Sequence, residues 1–214
     1  MSEATLIASW AGAGVLAGAV LAVPTRRLLT AAAPPGLTTA YLMVPLITAI
    51  LFAALAWRIG GHFELLPFSV LAASGTALSL IDIVDQRLPS TIVYPTIVLV
   101  GALLGASAIL HSNVTGFLRA LAGTAILTTF YLALALLSGG GLGAGDVKLG
   151  GLLGLALGWL SWSALVTATF LGWFAAALVW LTLRVVRRRP RGSLLPMGPF
   201  LLLGAFVAVL APIR

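Results

Sequence analysis

The chain has 214 residues, of which 61% are hydrophobic and only 8% charged; an ordinary soluble domain carries about 25% charged residues. This composition excludes water as the main solvent, and the absence of cysteine excludes disulfides, thiolate nucleophiles and cysteine-based zinc sites. The formal charge of +7 suggests nucleic acid until the twelve cations are placed; they punctuate apolar runs, so the membrane accounts for them and no nucleic-acid partner is expected. The expected fold is all-α, a polytopic membrane bundle of about eight transmembrane helices.

The first apolar run, Thr5 to Val23, is long enough to span, because about 20 helical residues cross the hydrocarbon. A secretory signal would have a basic start, whereas here Glu3 comes first and the arginines follow, so a permanent helix is expected. Gly14-xxx-Gly18 gives it a close-packing face. Pro24, Arg26 and Arg27, an alanine-rich stretch and Pro34-Pro35-Gly36 connect it to a second span, Leu37 to Trp57. The third, Leu65 to Ile81, carries Ser69, Ser74, Thr76 and Ser79, which suggests a helix facing protein rather than lipid. Asp82 and Asp85 follow in a predicted loop ending at Pro89. Thr91 to Leu110, with Gly101-xxx-Gly105, and Phe117 to Leu137 are the fourth and fifth spans.

Five glycines and one carboxylate then occupy Gly139 to Lys148, a run unsuited to a helix interior because each glycine there costs about 1 kcal/mol relative to alanine. The apolar stretch behind it, Leu149 to Leu160, is too short to cross a core about 30 Å thick at about 1.5 Å per residue. Either the helix starts inside the Asp146 loop or the loop dips into the membrane, and both put Asp146 near bilayer depth. Gly150, Gly154 and Gly158 predict close approach of a neighbouring helix, and Trp159 and Trp162 suit the far interface. Ala164 to Val186, a basic loop ending at Arg191, and Leu194 to Ala211 complete the chain. Residues 1–63 are expected to form a two-helix membrane region and 64–214 a six-helix core.

With both termini outside, nine cations fall on the cytoplasmic side against Arg58, Arg119 and Arg214 outside. The same orientation brings Asp82, Asp85 and Asp146 to one face. An ionised Asp at a helix centre in the membrane costs about 2.5 to 3.5 kcal/mol on the mildest scale, so three of five acids at one level need a reason. Two carboxylates that share a proton can activate water and protonate an amide nitrogen. The dipole at a helix start favours the anion at Asp146 and the dipole at a helix end disfavours it at Asp82, which makes Asp146 the expected base and Asp82 the expected acid.

These residues resemble those of the type IV prepilin peptidases, membrane aspartic endopeptidases. That family's first catalytic aspartate stands seven residues before a proline, as Asp82 stands before Pro89; its second stands in Gly-x-Gly-Asp-x-Lys, matched by Gly143-Ala-Gly145-Asp146-Val-Lys148. Pro196-Met-Gly198-Pro199-Phe200 is similar to the turn many members carry before the last helix. The resemblance covers roughly Leu65 to Ala211 and implies that Asp82 and Asp146 are catalytic, with Asp85, Gly143, Gly145, Lys148 and Pro89 supporting. It implies a bacterial inner-membrane enzyme that removes a short basic leader from prepilin or pseudopilin precursors, without cofactor or metal. Valine at Gly143 or Gly145 is expected to abolish cleavage. Two departures stand out. Asp85 lies three residues after Asp82 rather than two, and the large cysteine-bearing segment of members that also methylate their product is replaced by about Pro24 to Gly36.

The plainer readings are a snorkelling Lys148, interfacial acids paired with Arg87 or Lys148, and arginines that set topology. Asn113-Val-Thr115 matches a glycosylation acceptor of a kind that occurs by chance. A proton-coupled transporter also uses intramembrane carboxylates, but predicts acids near the midplane and symmetry between halves. A Mg²⁺-dependent lipid transferase would want more closely spaced acids and would be sensitive to chelators. A presenilin-like protease shares Gly-x-Gly-Asp but not the Asp82-to-Pro89 spacing.

Overall fold

A computed structural model of the chain describes residues 2–29, 37–138, 142–187 and 195–211, with side chains from 43 onward in the second segment. Gly139 to Gly141, Pro34-Pro35-Gly36, Arg188 to Arg191 and Arg214 lie outside the described residues. Among the described residues there are eight helices and no strand: α1 (Glu3–Leu28), α2 (Leu37–Ile59), α3 (Leu65–Asp85), α4 (Ser90–Leu110), α5 (Val114–Leu137), α6 (Ala144–Leu160), α7 (Trp162–Arg187) and α8 (Gly198–Leu210). Of these, α1, α3, α4, α5 and α7 are long and apolar enough to cross a membrane, and the protein is a multi-pass helical membrane bundle.

The bundle is built around α3 and α6. Most of α3 is buried, as its hydroxyl-bearing positions suggest, and those hydroxyls return to their own helix: Ser69 Oγ donates to the Leu65 carbonyl at 2.6 Å and Thr76 Oγ1 to Ala72 at 2.8 Å. Ser69 also receives the Trp10 indole N–H at 2.8 Å, which ties α1 to α3. Glycine stripes set the helix contacts. A Cβ on Gly14 would stand 2.8 Å from Ala49 Cα and one on Gly18 2.6 Å from Pro45 Cα, so α1 and α2 meet backbone to backbone. On α6, Gly150 lies under the Tyr131 ring, Gly154 against the Gly123 backbone, and Gly158 against Ala120, so α5 packs along the predicted face. Gly101 and Gly105 meet only side chains at ordinary contact distance.

Several boundaries differ from those read in the sequence. Helix α1 continues through Pro24 to Leu28, with the Thr25 hydroxyl donating to the Leu21 carbonyl in that turn, so Arg26 and Arg27 belong to the helix. Helix α3 runs on to Asp85 and includes Asp82. Of the two alternatives for α6, the helix starts inside the aspartate loop, at Ala144. Helix α8 begins at Gly198, with Pro199 in its first turn, where a missing N–H costs no hydrogen bond, and residues 195–197 lie outside it. Trp159 packs into the core at the end of α6; Trp162 is exposed.

Arg58 and Arg119 have a role beyond counting charges. Arg119, on α5, donates to the carbonyls of Gly158, Trp159 and Leu160 at 2.7, 2.6 and 3.0 Å, capping the C-terminus of α6. Arg58 does the same for α8, reaching the Ala211 carbonyl at 3.0 and 3.3 Å. At this end Ser107 donates to Glu64 and contacts His111, joining the start of α3 to the end of α4, while Asn113 caps α5 through the Gly116 N–H. Replacing Arg119 with methionine leaves three terminal carbonyls unpaired and is expected to cost about 2 kcal/mol, read as a lower midpoint of thermal unfolding in detergent; Arg119→Lys should recover part of it.

Candidate active site

The other end of α6 and α8 carries the acids. Asp82 enters from the last turn of α3, which stops when Gln86 adopts the left-handed conformation (φ 52°) and its N–H returns to the Asp82 carbonyl at 3.0 Å. The Asp82 carboxylate accepts the Gly198 N–H at 2.8 Å, at the first residue of α8. A Cβ on Gly198 would stand 2.9 Å from that same oxygen, so the glycine permits the approach.

Asp146 is the third residue of α6. Its Oδ2 accepts the Gly143 N–H at 3.0 Å, and its own N–H donates to the Gly143 carbonyl at 3.0 Å, which closes the first turn in the manner of a capping box. Gly143 is extended, with φ −83° and ψ 156°, a conformation open to any residue. Asp82 and Asp146 are both buried, 5% and 9% exposed. Each therefore accepts one backbone N–H at the start of a helix. The helix-end asymmetry behind the expected base at Asp146 and acid at Asp82 is narrowed, because α8 supplies Asp82, in the last turn of α3, with the same kind of donor that α6 supplies to Asp146.

Neighbouring residues lock the two acid-bearing segments together. The short turn after α3 buries Leu88, and a Cβ on Gly145 would come within 2.8 Å of Leu88 Cβ, so the first turn of α6 rests on that turn. Lys148 reaches α4: its Nζ donates to Ser90 Oγ at 2.7 Å and lies 5.3 Å from the Tyr94 ring centroid. It is a tie between α4 and α6 rather than a snorkelling side chain. One turn below Asp146, Tyr131 fills the space over Gly150, stacks on Trp173 and accepts its indole N–H at 3.2 Å.

Of the residues picked from the sequence, Asp82, Asp146, Gly143, Gly145 and Lys148 belong to this region, and Pro89 caps the N-terminus of α4 between the contacting residues Leu88 and Ser90. Asp85 is the half-buried last residue of α3. Sequence reasoning missed Gly198 as a donor, and missed Leu88, Ser90 and Tyr131. The signal for Gly198 was present: a proline-flanked glycine directly ahead of an apolar helix marks a free N–H. Among the described residues no three His, Asp or Glu side chains gather into a metal-binding group.

An all-helical membrane bundle with two buried carboxylates, each on a backbone N–H at a helix start, defines a polytopic membrane protein with two acids buried at one end. The sequence pattern of the type IV leader peptidase family matches residues 69–181, just over half of the chain, and the chain belongs to that family. It is 35% identical over 171 residues to the prepilin leader peptidase/N-methyltransferase of Pseudomonas putida, covering 79% of this chain and 58% of that protein. The Aeromonas hydrophila protein of the same name is 32% identical over 173 residues, with 79% and 58% covered. That of Bacillus subtilis (strain 168) is 30% identical over 171 residues, with 79% and 65% covered. The chain thus spans about 58% of the length of the first two relatives. No solved structure matches.

Proposed function

We propose that the chain is a prepilin leader peptidase of the bacterial inner membrane, an aspartic endopeptidase that uses Asp82 and Asp146 to remove a basic leader from type IV prepilin or pseudopilin precursors. The observation that carries this reading is the pair of buried carboxylates, each held by a backbone N–H from a different helix, in a chain of this family. Two carboxyl groups close enough to share a proton titrate as a unit. The ionised member takes a proton from a water, the resulting hydroxide bonds to the scissile carbonyl carbon, and the protonated member gives its proton to the departing amide nitrogen. The rigid N–H donors hold both carboxyl groups in orientation, so little reorganisation is needed during the reaction.

The positive-inside rule supports a cytoplasmic position for this end, with both termini on the other side. In that orientation a membrane-embedded precursor presents its leader where the acids are. Residues 1–63 then serve as a two-helix membrane region packed on a six-helix peptidase core, 64–214. The connection between α1 and α2 is short and without cysteine, so leader cleavage is better supported than methylation as the activity carried over from the relatives. The direct test is incubation of the purified chain, in vesicles, with a type IV prepilin precursor: mass spectrometry should find a new N-terminus at the leader boundary, unchanged by EDTA. An intact precursor would overturn the reading.

The two glycines before Asp146 should respond differently. A Cβ on Gly145 collides with the rigid base of Leu88, whereas one on Gly143 meets nothing closer than 3.6 Å. Gly145→Ala should therefore lower kcat/KM by about 10- to 100-fold through displacement of Asp146, while Gly143→Ala stays near the parent. Equal losses would mean that Gly143 is needed for something other than space.

A further inference from the structure

Each acid-bearing helix is also the floor of a groove open to the side of the bundle. Helices α2 and α8 both pack on α3 and barely touch each other, leaving a groove of about 420 Å³ between them. A second groove, of about 540 Å³, lies over α6 between α4 and α5.

The two differ in chemistry. The second contains the Lys148 ammonium beside Tyr94 at the end nearest Asp146. The first is lined without any ionisable side chain, its walls formed by half-exposed Met43 and Ile47 of α2 and Leu203 of α8. Its floor, from Gly75 to Ile83, runs about 12 Å at about 1.5 Å per residue, a little over two helical turns. It stops at the site: Ser79 and Ile83 flank Asp82 on α3, and Pro199 follows Gly198, whose N–H lies on the Asp82 carboxylate. Within one turn the apolar trough gives way to the last turn of α3, which carries buried Asp82 and half-buried Asp85.

We infer that the groove between α2, α3 and α8 docks the first two turns of the substrate's apolar helix. This rests on the leader-peptidase reading: a precursor is cut where its leader meets its apolar helix, and the trough lining ends at Ile83, next to Asp82, the carboxylate proposed to cut it. The α4–α5 groove meets that junction with a cation and so repels the leader. An acyl chain suits the trough equally well but has no use for the acids at its mouth.

The test uses the full chain in phosphatidylcholine vesicles with a synthetic precursor, a short Lys/Arg leader joined to about 20 apolar residues. Benzoylphenylalanine placed at Ile47 or Leu203 should cross-link to the first turns of the precursor helix on irradiation, and placed at Leu132 or Leu136 should not. Ile47→Trp and Leu203→Trp should raise KM for this precursor about tenfold with kcat nearly unchanged, and should not affect a soluble peptide cut short after the cleavage site. Adducts from 132 and 136 instead, or phospholipid adducts alone at 47 and 203, would overturn the inference. Because capture needs no turnover, adducts without cleavage by the parent would sink the peptidase reading alone, and cleavage without adducts would sink the groove alone.

Discussion

Asp82→Asn and Asp146→Asn should each reduce leader removal by about 10³-fold or more while the protein still accumulates in the membrane. Asparagine keeps the volume of aspartate and its carbonyl oxygen can still accept the Gly198 or Gly143 N–H, so the bonds that seat the two residues survive. What disappears is the ability to hold and release a proton. Unfolding midpoints close to the parent would assign the loss to chemistry. The expected contrast is Asp85→Asn, which changes a half-buried helix-end residue and should leave cleavage measurable. Cleavage that survives both of the first two substitutions would end the aspartic-peptidase proposal.

Gly154→Val should have the largest effect on stability. A Cβ on Gly154 falls on the Gly123 carbonyl and 2.9 Å from Thr124 Cα, backbone atoms of α5 that cannot swing aside as a side chain can. Helices α5 and α6 would have to separate, for a cost of about 3 kcal/mol or more, or roughly 6–12 °C in the unfolding midpoint on the scale of soluble proteins this size. Gly101→Ala is the control: its Cβ meets only Leu155 Cδ2 at 3.6 Å, an ordinary contact, and should be neutral. Because α6 carries Asp146, the Gly154 variant should also lose activity before it unfolds. A Gly154→Val protein that melts with the parent would refute the backbone contact.

Much of this architecture was legible because membrane helices announce themselves by length and their contacts by small residues. The hydroxyls of α3 and the four-residue glycine spacing of α1 and α6 reported buried faces that the structure contains. Where α3 ends was harder. Its stop is Gln86 in a left-handed conformation, with no Gly, Asn or Pro at that position to mark it, so Asp82 reads as a loop residue although it is helical. The Asp82 partner is 116 residues away in sequence, and no local pattern reports so distant a pairing. Lys148 was read as snorkelling because residue type alone suggests it, whereas its Ser90 partner is a tertiary fact.

The arginine caps fix a depth. Asp146 stands about 21 Å along the axis from Leu160, and Gly198 about 20 Å from Ala211, at about 1.5 Å per residue. Guanidinium groups at the far ends belong at a headgroup boundary, and the hydrocarbon is about 30 Å thick. The two helices thus fall about 9 Å short of a hydrocarbon core of ordinary thickness, a mismatch that local thinning of the bilayer would relieve. Bilayer thickness is therefore expected to bear on the acid-carrying end, short-chain lipids favouring hydration of the aspartates and long-chain lipids opposing it.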